Sequence, residues 1–318
     1  MRPADSPPLS PSSPPVTVVI PAYERAATIV AAIDSVLRQT RTDFELLVID
    51  DGSSDGTAEA AETVADPRLR VVRLPKNRGA AGARNAGAAE ARGRWIAFQD
   101  SDDEWLPEKL ALQLARLEAH PDAIAAYCGL LTVGELDADA HGRTRLAYVP
   151  DPEIELVEGR IQPTLLMQNV MSTQTVVVRR DVFLALGGFD ESLPAMEDWE
   201  FAIRLAGAGE IAFVDAPLVH QRFSPNSLTR NLEKQLRSHA MILEKSRPLY
   251  AGRPDLLARQ YYILAGDSRR SGDLDAARCY LALARAARPG QSRPIAMSLY
   301  VAGLRLARAL RRQPPDAS

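Results

Sequence analysis

The sequence predicts an α/β fold built on a mainly parallel sheet, followed by a helical extension. Three observations carry that expectation. Short β-branched runs alternate with helix-period segments between residues 16 and 99, and polar or acidic residues gather directly after each run. Beyond about Leu228 the β-rich pattern gives way to helix alone. Strands alternating with helices at this pitch pair in parallel through right-handed crossovers.

Residues 1–15 are rich in proline and serine and are expected to form a disordered lead. The run Val16-Thr17-Val18-Val19-Ile20 is almost wholly β-branched and suits a buried strand, which Pro21 is expected to end. Residues 28–39 carry Ile29, Ile33, Val36 and Leu37 at helical spacing. Residues 44–49 read as a second buried strand, stopped by Asp50-Asp51-Gly52. A helix at 57–64, a strand at 70–74, an alanine-rich helix at 80–91 and a strand at 94–99 follow. Further on, 175–178 reads as a strand, and Arg179-Arg180-Asp181 leads a helix ending at Gly187-Gly188. Residues 199–206 form a helix behind Glu197-Asp198. The expected organisation is a lead at 1–15, one α/β domain at 16–227 and a helical extension at 228–318.

Within the extension, residues 272–289 resemble one half of a tetratricopeptide unit, and a single copy cannot support a solenoid. Residues 295–312 set Leu299, Leu304, Leu306 and Leu310 among arginines, a pattern that suits either an interfacial amphipathic helix or a packing helix.

Composition narrows the class. The chain has 318 residues, 46% hydrophobic and 25% charged, with a net charge of −3, ordinary values for a globular protein with a sizeable core. The charge is unevenly spread: from Leu228 onward lysines and arginines outnumber acids by more than two to one, behind an acidic body. Such a tail is either a solvated helical surface or an attraction to anionic headgroups or a polyanionic acceptor. Cys128 and Cys279 stand far apart without metal-ligand company and give no disulfide framework, which fits a reducing cytoplasm. The lead has no apolar core of a signal peptide, and no apolar run of about 18 residues predicts a spanning helix.

Four clusters fall at strand ends, where open α/β sheets bind ligands. In the first, Pro21-Ala22-Tyr23-Glu24 meets Asp50-Asp51-Gly52: a carboxylate can accept the imide N–H of a uracil-like base while Tyr23 offers a flat face. A loop start plus an Asp-Gly turn explains the same residues without a ligand. The second, Asn77-Arg78-Gly79 through Arg84-Asn85, opens a helix whose N–H groups and arginines suit a diphosphate. It reads equally as a packing helix with solvated arginines, and its glycines lack the order of a dinucleotide fold. The third, Gln99-Asp100-Ser101-Asp102-Asp103, crowds carboxylates that repel unless a cation sits among them, and hard oxygens suit Mg²⁺ or Mn²⁺. An acidic turn capping the next helix is the plainer alternative. The fourth is Glu197-Asp198-Trp199, either a helix cap or a site where Asp198 takes a proton.

These phrases, with Val18-Val19-Ile20-Pro21-Ala22-Tyr23, Val48-Ile49-Asp50-Asp51-Gly52-Ser53-Ser54-Asp55-Gly56-Thr57 and Gly187-Gly188-Phe189-Asp190, resemble the family-2 inverting glycosyltransferases of the GT-A fold. Order and spacing match over roughly residues 16–225. The resemblance implies that Pro21, Tyr23, Glu24, Asp51, Asn77 and Arg84 hold a nucleoside and its phosphates, with Asp100 and Ser101 in the same donor site. In the Asp-x-Asp motif, Asp102 is the expected direct metal ligand, helped by Asp100. Many relatives carry a histidine at the position that Ser224 holds here, so either His220, one turn earlier, substitutes as a metal ligand, or the metal lacks that ligand, or the loop is arranged differently. Asp198 is the expected base in a single inverting displacement at the anomeric carbon.

The implied partners are a nucleotide-sugar donor, UDP-linked by preference, and a glycan, lipid-linked or protein acceptor. The expected setting is envelope polysaccharide assembly at the cytoplasmic face of a membrane, touched peripherally through the basic helices. No nucleic-acid partner is expected. A nucleotidyltransferase would want a glycine-rich loop with a lysine where Pro21-Ala22-Tyr23-Glu24-Arg25 stands, and a non-catalytic scaffold would need neither Asp102 nor Asp198.

Overall fold

The computed structural model describes residues 14–134, 145–222, 231–290 and 292–311. The expected lead lies almost wholly outside the described residues, as do Ser224 and the Arg312 end of the tail. The chain forms two compact units, Met1–Ser192 with Glu197–Pro225 and Leu193–Met196 with Asn226–Ser318.

The first unit opens with β1 (Val16–Ala22), α1 (Ile29–Leu37), β2 (Phe44–Asp50), α2 (Thr57–Glu62), β3 (Leu69–Arg73), α3 (Gly79–Glu90) and β4 (Trp95–Phe98). It continues through β5 (Glu104–Trp105), α4 (Lys109–Ala119), β6 (Ala123–Gly134), β7 (Arg145–Val149) and α5 (Gln162–Met167). It closes with β8 (Val177–Arg179), α6 (Arg180–Ala185), α7 (Glu197–Ala208) and β9 (Glu210–Arg222). Among the described residues these make one nine-stranded sheet, ordered β3-β2-β1-β4-β8-β6-β9-β5 with β7 paired to β6.

The parallel expectation holds for the half built by β1 to β4. The other half is mixed: β8 runs antiparallel to β4 and β6, β5 antiparallel to β9, and β6 parallel to β9. β1 and β2 are buried along their whole length because helices cover both faces, which is why they read as continuous apolar runs. On one face Val18, Ile20, Leu46 and Val48 join Ile33, Val36, Trp105 and Leu114 in the main core. On the other, α3 approaches so closely that a Cβ on Gly87 would lie 2.4 Å from Val19 Cγ1.

Pro21 does not end the first strand, which runs on to Ala22. The reason is one of direction. Val19 O accepts from Gln99 N, so the polar groups of Val19, and of Pro21 two residues on, face the β4 side. The β1–β4 pairing stops at Val19 and Phe98, so no ladder bond is asked of the missing N–H. The strand expected at 175–178 is likewise shifted: Thr173–Thr175 is a 3₁₀ turn, and β8 begins two residues later.

The second unit holds α8 (Leu232–Ser246), α9 (Pro254–Ser271), α10 (Leu274–Ala287) and α11 (Ser292–Arg311). Asn231 and Asp273 cap α8 and α10 by accepting from Lys234 N and Ala276 N. Gly272, at φ +87°, turns α9 into α10, so the segment 272–289 holds one helix, α10. Ala265, Ala277 and Leu281 of these two helices form a core cluster with Val301 of α11. Among the described residues no helix is long and apolar enough to cross a membrane.

Candidate active site

The carboxyl ends of β1, β2, β3 and β4 bring the first three clusters to one edge of the sheet. The loops after β1 and β2 are latched together. Glu24, at φ +53°, accepts from Ser54 N at 2.8 Å and Ser54 Oγ at 3.1 Å, and donates its own N–H to Ser53 Oγ. Asp55 accepts from Ala26 N at 3.0 Å, and Arg25 N donates to Thr57 Oγ1 at 2.7 Å. Pro21 is buried at the strand end, while Tyr23 is 47% exposed and shows its ring to solvent.

Asp51 is buried and its carboxylate accepts from Arg78 N and Gly79 N, each at 2.8 Å. Asn77 Oδ1 accepts from Gly79 N as well. This corrects the sequence reading of α3: two N–H groups offered there to a diphosphate are already taken by Asp51. Burial pushes the Asp51 pKa up, and the two backbone donors pull against it.

Arg84 is also placed differently from either sequence reading. It is buried at 6% exposure, neither solvated nor turned outward. Nη2 donates to Asp100 Oδ1 at 2.6 Å and Nη1 to Glu197 Oε1 at 2.8 Å. One guanidinium on α3 thus ties the end of β4 to the start of α7, and its partner Glu197 lies 113 residues further along the chain. Burial opposes its charge, but the Asp100 and Glu197 carboxylates outweigh that and raise its pKa.

Asp102 is the acid of the Asp-x-Asp motif left facing outward, with 39% of its side chain exposed and Arg25 Nη2 3.7 Å from Oδ2. Its pKa is raised, first by partial burial and then by the Asp100 charge. Ser101 and Asp103 are buried beside it. His220 lies on β9 opposite Glu104 of β5. Among the described residues no three His, Cys, Asp or Glu side chains gather as a metal-holding group, so the structure does not bring His220 into one shell with Asp100 and Asp102. The donor set still fits Mg²⁺ or Mn²⁺. Such ions keep water and use one or two carboxylates plus substrate phosphates, not an all-protein cage. Asp102 offers a hard oxygen ligand whose charge a cation would relieve.

Asp198 sits in the first turn of α7, just after Met196, whose φ of +62° is strained for a non-glycine residue. Its Oδ1 accepts from Trp199 N at 2.7 Å, and Trp199 Nε1 anchors the helix by donating to Leu165 O. The carboxyl borders a recess lined by Phe98, Met171, Val176, Phe189 and Phe201. Phe98, Phe183, Phe189 and Phe201 pack ring against ring at 5.0–5.3 Å between centroids. This apolar wall desolvates Asp198, and the Glu197 charge adds to it, raising its pKa to about 7. A carboxylate so poised suits proton abstraction near neutrality.

Sequence reasoning left out three elements of this edge: Arg25, the tie role of Glu197 and the phenylalanine wall. The phenylalanines are scattered from 98 to 201, and no local spacing marks them as neighbours.

The sequence model described as Glycosyl transferase family 2 matches residues 17–177. The chain is 38% identical over 166 residues to the succinoglycan biosynthesis protein ExoO of Rhizobium meliloti (strain 1021), covering 52% of this chain and 46% of that protein. The chain therefore spans about half the length of this curated relative. Its structure is similar to that of S. aureus TarS 1-349 in complex with UDP-GlcNAc, with a TM-score of 0.63 and 19% identity over 92% of each chain. It is similar as well to the mannosyltransferase PcManGT from Pyrobaculum calidifontis in complex with GDP-Man and Mn²⁺, with a TM-score of 0.60, 22% identity, and coverage of 92% of this chain and 81% of that one. At these identities the likeness speaks for the fold, which is the GT-A fold. With half of its length, residues 17–177, matched by the family's sequence model, the chain belongs to glycosyl transferase family 2.

Proposed function

We propose that the chain is an inverting, metal-dependent glycosyltransferase that moves a sugar from a nucleoside-diphosphate donor, UDP-linked by preference, to an acceptor hydroxyl. The observation that carries this reading is the setting of Asp198: a carboxyl desolvated by an aromatic wall, tied through Glu197 and Arg84 to the acidic end of β4.

In this reading Asp198 accepts the acceptor's hydroxyl proton as the oxygen attacks the anomeric carbon. The bond from that carbon to the diphosphate breaks, and its electron pair leaves with the nucleotide. Attack opposite the leaving group inverts the configuration, and no sugar–enzyme bond forms. Asp102, with Asp100, would hold the Mn²⁺ or Mg²⁺; bound there, the ion neutralises charge on the departing diphosphate. Arg84 keeps Asp100 and Glu197 in place instead of touching phosphate. Tyr23 stacks on the base beside Pro21, and Asp51 holds the α3 start against that pocket while a lone pair remains for the base. Glu24, Asn77 and Ser101 shape the donor loops.

The named role of ExoO in succinoglycan biosynthesis supports an extracellular or envelope polysaccharide as the product class. The exposed Ile295, Leu299 and Tyr300 on α11, in an extension rich in arginine, support peripheral contact with an anionic membrane face. The lipid-linked acceptor that such a location favours belongs to the same proposal, as do the domain limits 16–227 and 228–318.

The test is to follow nucleotide release from UDP-, GDP-, CDP- and dTDP-sugars with Mn²⁺ and a panel of glycan and lipid-linked acceptors. The expected result is release from one donor class, a product of inverted anomeric configuration by NMR, and loss of both in Asp198→Asn. Release with retained configuration would contradict the single displacement, and no release from folded protein would contradict the enzyme reading.

A further inference from the structure

Arg25 has no role in the sequence reading, yet the structure sets it at the acidic edge. Its backbone N–H is pinned to Thr57 Oγ1. Its guanidinium is held far more loosely: Nη1 donates to the Glu24 carbonyl at 3.2 Å, and Nη2 stands 3.7 Å from Asp102 Oδ2, beyond hydrogen-bond length. The side chain keeps 41% exposure, against 7% for that of Arg84. The two arginines divide the edge between them. Arg84 commits its fork to Asp100 and Glu197, while Arg25 carries most of its fork uncommitted within reach of Asp102.

Charge decides what such a group can do. A guanidinium and a divalent cation beside one carboxylate repel each other unless an anion lies between them. A diphosphate supplies that anion, and the planar guanidinium fork matches its oxygens. We propose that Arg25 binds the diphosphate of the donor, exchanging its ion pair with Asp102 for phosphate oxygens. This rests on the glycosyl-transfer reading of the site. It gives Arg25 two effects of opposite sign: it competes with a metal ion that binds alone, and it supports a metal ion that binds with a diphosphate. A merely structural role in the loop has no such reversal.

The experiment compares wild type, Arg25→Ala and Arg25→Lys in two titrations. Mn²⁺ alone is followed by electron paramagnetic resonance of the free ion. At saturating Mn²⁺, UDP, GDP, CDP, dTDP and their monophosphates are titrated by calorimetry. Arg25→Ala is expected to bind Mn²⁺ alone about threefold tighter, because a competing charge is gone. It is expected to bind the preferred diphosphate about 10- to 100-fold more weakly, through loss of charge-assisted bonds. The matching monophosphate should change less than about threefold, and Arg25→Lys, with the charge but no fork, should fall between. If wild type binds no diphosphate, the transfer reading fails and this inference with it. If wild type binds one and Arg25→Ala equals it for metal and nucleotide, Arg25 alone is misassigned. Equal weakening of diphosphate and monophosphate would also overturn the proposal, because it marks general damage to the loop.

Discussion

The two ends of the parallel strands treat their acids in opposite ways. Where β1 and β2 begin, the buried Glu45 is matched on every side: Oε2 accepts from Thr17 Oγ1 at 2.9 Å and Arg92 N at 3.1 Å, and Oε1 stands 3.5 Å from Arg70 Nη2. Where the strands finish, the matching is partial: Asp51 has two backbone donors and Asp100 has Arg84, but burial is not fully offset. Asp50 is buried with Oδ1 lacking a partner among the described residues. Asp51, Asp102 and Asp198 all have raised pKa values, each chiefly from desolvation. The first end lowers the energy of the fold. The second raises it, and a protein keeps such an arrangement where a ligand or a proton completes it.

Asp198→Asn should break the second end most visibly. Transfer should fall by about a thousandfold or more, within the range of general-base losses, while nucleotide affinity holds. In wild type, kcat/KM should rise with pH through about 7, where Asp198 loses its proton, and the variant should lack that limb. Stability should move the other way. The folded carboxyl keeps its proton up to about 7, whereas the unfolded one releases it in the ordinary aspartate range, so stability falls as pH rises between them. The neutral amide avoids that loss, so thermal melting at pH 8 should show Asp198→Asn about 3 °C or more above wild type.

Arg84→Ala should cost about 3–5 kcal/mol in denaturant unfolding, because it strands Asp100 and Glu197 without their shared cation. Glu45→Ala, at the matched end, should cost about 1–3 kcal/mol by leaving the buried Thr17 hydroxyl without its acceptor, with nucleotide binding unchanged. A change in nucleotide affinity there would blur the contrast between the ends. Tyr23→Ala should be the mildest: no loss of stability and a drop in nucleotide affinity of about 3- to 10-fold, from lost stacking on the base.

The parallel half of the sheet, with the helices against it, was largely legible. β1 and β2 announce themselves because burial on both faces makes them continuously apolar, and α3 because the side it buries is mostly small. The mixed half was not, since β5 is two residues long and β6 and β9 owe their pairing to partners far along the chain. In the site, the strand-end placement of Asp100 and Asp102 was legible, but the burial of Arg84 was not. Its burial follows from how closely Gly87 lets α3 approach the sheet, and its partner Glu197 lies too far along the chain for local reasoning to join them. Asp51 shows the same limit, because a carboxylate that caps α3 and one that faces a base look alike in sequence.

The most direct test of a ligand-completed edge is calorimetric titration of UDP, GDP, CDP and dTDP, with and without Mn²⁺, into wild type and Asp102→Ala. Metal-dependent binding of one diphosphate by wild type, lost in a variant that is equally or more stable, is the predicted result. Absence of binding by folded wild type, or binding unaltered in Asp102→Ala, would contradict it.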